Sequence, residues 1–145
     1  MRKTIIPLTL INLNDDGFHL LVEIVVYGET HFAVLDTGAS RTVFDTSFTA
    51  KYATKALEDP ELPSENNFAT TLFSTSNTVM AIFPEIRLGR LRISEYSAVA
   101  LDLTSVNEAY IQLGHPIISG IIGGDILHLH QAVINYKNLK MTLTL

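Results

Sequence analysis

As a pattern of apolar and polar positions, the chain opens with two β-branched runs, "IIPLTLI" and "FHLLVEIVVY". Between them lies polar "NLNDDG", where Asp16-Gly17 has the chemistry of a hairpin turn. A second turn at Tyr27-Gly28-Glu29 leads into "THFAVLD", so the first 36 residues predict an antiparallel meander of three strands. The period then changes. From Thr46 to Leu57, "TSFTAKYATKAL" sets Phe48, Tyr52, Ala53, Ala56 and Leu57 at helical spacing behind an N-cap at Asp45 or Thr46, which predicts one short helix. Acidic "EDPELPSENN", with its two prolines, reads as a surface loop.

Downstream, "FATTLFSTSNTVMAIF" reads as two strands around a polar tip at Ser74 to Asn77. "PEIRLGRLRI" alternates apolar and basic residues around Gly89, and "YSAVALDL" predicts a further strand. "TSVNEAYIQLG" predicts a short helix with a Thr104 or Ser105 cap and Gly114 at its end. In "PIISGIIGGDILHLH" an apolar strand is interrupted by two glycines before a brief helix, and "AVINY", a "KN" turn and "KMTLTL" close the chain as a hairpin. The terminal runs "TIIPLTLI" and "LKMTLTL" are expected to be unpaired edges in a single protomer. The pattern as a whole predicts a mostly-β domain with small helices.

Composition narrows the picture. At 145 residues and 47% hydrophobic, residues 1–145 suit one well-filled core and are too few for two ordinary domains. A net charge of −5 with scattered Lys and Arg provides no basic stripe for a phosphate backbone, so no nucleic-acid partner is expected. The chain contains no cysteine, which removes disulfides and thiolate metal sites. "MRKTIIPLTL" is too short in its apolar part for a signal peptide, and no run approaches the roughly 18 apolar residues of a membrane helix. A soluble protein without a membrane span is expected, in a compartment the sequence leaves unknown.

The chemistry centres on "FAVLDTGASRTVF", where Asp36 follows an apolar run and precedes Thr37-Gly38. Asp before Thr-Gly is an ordinary strand-ending turn, because Asp bonds its own backbone and Gly tolerates positive φ. The apolar flanks argue for more, since a carboxylate among them requires a partner or a task. A second segment, "GIIGGDIL", repeats the apolar-apolar-glycine pattern and suits a strand passing close behind the first.

"VLDTGAS" at Val34 to Ser40, "GIIGGDIL" at Gly120 to Leu127 and the "AVINYKNLKMTL" tail together resemble the single-domain, retropepsin-like aspartic proteases, including their bacterial relatives. The resemblance spans nearly the whole chain. It implies a closed or partly open antiparallel β-barrel of the acid-protease type with two or three short helices. It also implies an aspartic endopeptidase that hydrolyses polypeptide substrates without a cofactor or metal. In such enzymes two carboxylates share one proton, one acting as base on a water while the other protonates the scissile carbonyl. One Asp-Thr-Gly in a chain of one-lobe length then requires a homodimer, with Asp36 from each protomer. The resemblance makes Asp36 catalytic, lets Thr37 bond the facing loop across the two-fold axis, and makes Gly38 the point of close approach. It has Ser40 bond the aspartate's outer face, beside Ala39, and makes Ile122, Gly123 and Gly124 the support of the loop. Ser74, Thr75, Ser76, Asn77 and Thr78 become the flap over an extended peptide. The flap stretch "LFSTSNTVM" departs from the family pattern in having no glycine, which keeps open an alternative: a catalytically weak or inert peptide-binding module on the same fold.

Other polar residues read more plainly. Asp125 is expected to cap the short helix that follows it, and Asp102, lacking Thr-Gly, is expected to be structural. His128 and His130 form a His-x-His pair that would share one face of a strand, but no third zinc ligand is nearby in the sequence. Ser40 and Ser119 lack the Gly-x-Ser-x-Gly elbow of a serine hydrolase. Ile82, Phe83 and Ile121 are expected to give the substrate pockets an apolar lining.

Overall fold

A computed structural model of the chain describes residues 2–57 and 79–145. The meander is present as β1 (Lys3–Asn12), β2 (Phe18–Val26) and β3 (Glu29–Leu35). Positive φ at Tyr27 and Gly28 closes the β2–β3 hairpin in the mirror-image turn that matches strand twist. β4 (Val43–Asp45) follows the Asp36 loop and leads into α1 (Thr46–Tyr52), whose N-cap is Asp45. Then come β5 (Lys55–Leu57), β6 (Val79–Leu88), β7 (Leu91–Leu101), α2 (Thr104–Gln112), β8 (Gly120–Ile122), α3 (Gly124–Leu129), β9 (Val133–Asn135) and β10 (Lys140–Thr144). Among the described residues β2, β3, β8, β4, β7 and β6 pair in that order, and a Val25–Arg87 pairing between β2 and β6 closes them into a barrel.

Most neighbours are antiparallel, but β3 runs parallel to β8 and β4 parallel to β7. Those pairings bring the "GII" strand alongside the strand that carries Asp36, with Leu35 opposite Ile122. The interior is apolar and aromatic. Phe44 lies 4.9 Å from Phe48 and 4.8 Å from Phe83 between ring centroids, in the packed geometry that aromatic clusters favour. β2 is apolar on both faces over Leu20–Val22, where both are covered, and exposes Glu23 beyond. Val22 and Ile24 point into the barrel, while Leu21 joins a second cluster with Leu103, Tyr110 and Ile118 beneath α2.

Several sequence expectations change. The helix expected over Thr46 to Leu57 stops at Tyr52: Ala53 is extended, Thr54 N donates to the Ile82 carbonyl at 2.9 Å, and Lys55–Leu57 pair with β6. Strand pairing outcompetes a weak helical tendency there. The strand expected at "YSAVALDL" is the second half of the long β7, whose register passes over Pro84, with Glu95 opposite at φ 50. The terminal runs are not unpaired edges, since Lys3–Pro7 of β1 lie against Lys140–Thr144 of β10 in antiparallel register. The outer neighbour of β10 is the short β9.

A polar chain docks α1 on the barrel. Ser119 Oγ lies 3.2 Å from His31 Nδ1, His31 Nε2 lies 2.9 Å from the Tyr52 hydroxyl, and Tyr52 donates to Glu29 at 2.9 Å. Lys51 also pairs with Glu29 at 3.2 Å. These contacts suit a neutral imidazole, and burial holds His31 below its ordinary value of 6.5, with Glu29 opposing and Lys51 reinforcing the shift. The unfolded chain therefore binds the His31 proton more readily than the folded one. The stability His31 contributes is complete above about pH 6.5 and is lost as the pH falls from there through the lowered folded value. The melting temperature is expected to decline from pH 7.5 to 5, and to decline less in His31→Gln. Parallel pH profiles in the two proteins would exclude this linkage.

Candidate active site

Asp36 ends β3 by leaving the sheet: its amide donates to the Ile122 carbonyl at 3.0 Å, the last bond before the chain turns. Its own carbonyl accepts from Ala39 N at 3.1 Å, and its Oδ1 accepts from Gly38 N at 2.9 Å. That side chain to backbone bond is the local turn chemistry expected of Asp-Thr-Gly. The carboxylate is nonetheless exposed on the protomer surface, as are Thr37, Gly38 and Ser40, while Ala39 is buried. Among the described residues the Ser40 hydroxyl makes no hydrogen bond, so the bond expected from Ser40 to Asp36 is not formed in the protomer.

Behind the loop stands the glycine strand. Gly124 N donates to the Ala39 carbonyl at 2.7 Å and Gly123 N to Thr42 Oγ1 at 3.0 Å. A Cβ on Gly123 would sit 2.7 Å from the Arg41 carbonyl carbon and 2.8 Å from the Ala39 carbonyl oxygen, so the backbone itself excludes any side chain. At Gly120 the obstacle is the Phe44 ring, 2.5 Å from the same notional atom. Ile122, fully buried, anchors the strand in the core. Ile122, Gly123 and Gly124 therefore touch the Asp36 loop directly and hold its backbone, without reaching the Asp36 carboxylate.

Asp125 has a different task from the one its position suggested. α3 is N-capped by Gly123 without a side-chain bond, and the Asp125 carboxylate turns back to the end of the Asp36 loop. Its Oδ1 accepts from both Thr42 N and Thr42 Oγ1 at 2.8 Å, and its Oδ2 accepts from the Tyr96 hydroxyl. Burial, reinforced by this bond, pushes the Tyr96 phenol far above its ordinary value, so it remains a donor. The clamp β7–α3–loop thus includes Thr42 and Tyr96, which no local sequence signal identifies; only the fold brings residues this distant together.

Asp45 and Asp102 are structural. Asp45 accepts from Ser47 N at 3.2 Å and from Leu103 N at 2.8 Å, tying the starts of α1 and α2. Asp102 accepts from Thr104 N at 2.9 Å, and the Thr104 bonds hold its carboxyl below the ordinary value. His128 lies in α3 and His130 at its C-cap, not together on a strand face, and His130 Nδ1 donates to the Thr144 carbonyl at 3.0 Å.

A cavity of about 290 Å³ opens beside the carboxylate, lined by Leu20, Leu35, Asp36, Thr37, Ile134 and Tyr136. The apolar lining expected from Ile82, Phe83 and Ile121 comes instead from these residues: Phe83 is fully buried in the barrel and Ile121 packs into the cluster beneath α2. β9 and the residue after it supply one wall, an assignment invisible before the β9–β10 hairpin is folded against β1. Ser74, Thr75, Ser76, Asn77 and Thr78, the expected flap, lie outside the described residues.

A family model described as "Aspartyl protease" matches residues 22–126 of the chain, which include both the Asp36 loop and the glycine strand. Among solved structures, a retropepsin-like aspartic protease from Rickettsia conorii aligns with a TM-score of 0.53 at 14% identity, covering 98% of this chain and 89% of that one. The retroviral protease-like domain of Ddi1 from Leishmania major aligns with a TM-score of 0.52 at 14% identity, covering 86% of this chain and 87% of that domain. These likenesses concern the fold. No curated protein matches the chain.

Proposed function

The chain belongs to the aspartyl protease family, and from that premise we propose that it is an aspartic endopeptidase acting as a homodimer, with one Asp36 from each protomer flanking the lytic water. The observation that carries this reading is the exposed Asp36 carboxylate on a loop held from behind by Ile122, Gly123 and Gly124. A carboxylate serving only its own turn does not need so rigid a support, whereas a reacting group must be held to within fractions of an ångström.

In this mechanism the two carboxylates share one proton. The ionised one removes a proton from water as it attacks the scissile carbonyl, and the protonated one donates to the carbonyl oxygen. The resulting gem-diol collapses when the carboxyl that took the water proton donates it to the leaving nitrogen and the other carboxylate removes a proton from a gem-diol hydroxyl, which breaks the C–N bond and leaves one proton shared again. In this reading Thr37 bonds the facing loop and Gly38 allows the two loops to approach, which their exposure beside Asp36 supports. A peptide side chain enters the cavity formed by Leu20, Leu35, Ile134 and Tyr136, which favours a large apolar residue next to the cleaved bond.

Sedimentation at micromolar concentration is expected to show a dimer, and cleavage of a peptide library to follow a bell-shaped pH profile blocked by a statine-type transition-state mimic. A monomer that cleaves peptides would exclude the shared site. A stable dimer that cleaves nothing at any pH would instead favour the peptide-binding module.

A further inference from the structure

We propose that the outer face of the barrel carries a second site, separate from the Asp36 loop, in which Arg87 and Arg92 bind the phosphate of a phosphate monoester. The site is a cavity of about 300 Å³ at the β2–β3 turn, lined by Tyr27, Gly28, Pro84, Glu85, Arg87 and Arg92 among others. Arg87 of β6 and Arg92 of β7 are direct cross-strand partners, so their side chains leave the sheet on the same face. Like charges placed opposite each other destabilise a sheet unless something between them compensates. Glu85 does so only in part: its Oε1 lies 3.6 Å from Arg92 Nε, and among the described residues it is the single carboxylate lining the cavity. Arg87 forms no ion pair among the described residues, and its Nε is buried without a hydrogen-bond partner. Among the described residues, two guanidiniums facing one carboxylate leave the lining net positive, with planar forks matched to a tetrahedral oxyanion.

The organic half of the ligand follows from the rest of the lining. Tyr27 is exposed and Pro84 half-buried, which offers a ring face and an apolar edge beside the cations. The volume sits at the lower end of small-molecule sites, more than a bare ion occupies. The Tyr27-Gly28 turn lies at the start of β3 and Asp36 just past its end, so seven strand residues, roughly 23 Å at the usual rise, separate the two sites. Nothing in this assignment depends on peptide cleavage.

The test is titration of the whole chain with phenyl phosphate at constant ionic strength, followed by calorimetry and by phosphorus NMR, with inorganic phosphate and benzoate as comparison probes. Saturable binding at one site per protomer is expected, tighter for phenyl phosphate than for either comparison. Arg87→Gln and, separately, Arg92→Gln are expected to weaken it about ten- to a hundredfold, the loss of a charge-assisted contact. Arg87→Lys, which keeps the charge and loses the fork, should fall between, and it provides a readout should the glutamine variant fold poorly. Asp36→Asn is expected to bind phenyl phosphate as the parent does. Unsaturable binding, or affinity equal to the parent's in either Arg87→Gln or Arg92→Gln, overturns the site. Inorganic phosphate binding as tightly as phenyl phosphate overturns the monoester, and benzoate binding as tightly overturns the phosphate.

Discussion

Asp36→Asn is expected to lower peptide cleavage by at least about a thousandfold, the scale of losing a positioned acid–base pair, while leaving fold and assembly intact. The substitution keeps the shape of the side chain and its acceptor oxygen, so the 2.9 Å bond from Gly38 N survives. What it removes is the ionisable group on an exposed loop tip whose backbone is fixed independently, through Ile122 and Gly124. If the dimer brings two Asp36 side chains together, neutral amides also relieve the cost of holding like groups at close range. The variant dimer should therefore be at least as stable as the parent by equilibrium sedimentation and thermal melting. Cleavage by purified Asp36→Asn at the parent rate would place the chemistry elsewhere.

The second large effect is on stability. Asp125→Ala is expected to destabilise the fold by about 4 kcal/mol, because it strands three donors in one step at about 1–3 kcal/mol each. Those donors are Thr42 N, the Thr42 hydroxyl and the Tyr96 hydroxyl, and Thr42 is fully buried. Asp125→Asn should cost about 1 kcal/mol: its amide oxygen still accepts from Thr42, and the Tyr96 hydroxyl turns to accept from the amide nitrogen. Chemical denaturation of the three proteins separates a clamp from a helix cap, since a cap predicts only about 1 kcal/mol for the alanine variant as well. The same clamp orients Thr42 Oγ1 toward Gly123 N, so the alanine variant is also expected to lose cleavage activity in its surviving folded fraction. An alanine variant as stable as the asparagine one would show that Asp125 is dispensable to the loop.

The strands that could be read directly were those whose information is local. The Tyr27-Gly28 turn announces its hairpin and the alternating arms around Gly89 announce β structure, because turn chemistry and period-two alternation act over a few residues. The cap at Asp45 was equally legible as one of two neighbouring choices, and the structure selects it through its bond to Ser47 N. Asp36-Thr37-Gly38 and the glycines of "GIIGG" were readable as a pair because each obeys a steric rule of its own: a carboxylate turn, and a strand with no room for a Cβ. What no window of sequence contains is which distant strand meets which. The parallel β3–β8 and β4–β7 pairings, the closure of β1 on β10 and the capture of Lys55–Leu57 by β6 are decided by competition for barrel edges, and there a modest helical tendency loses. Asp125 shows the consequence at the site. Its sequence neighbours describe the first turn of a helix, but its hydrogen bonds go to residues from other parts of the chain, because a half-buried carboxylate takes the donors that tertiary packing leaves without water.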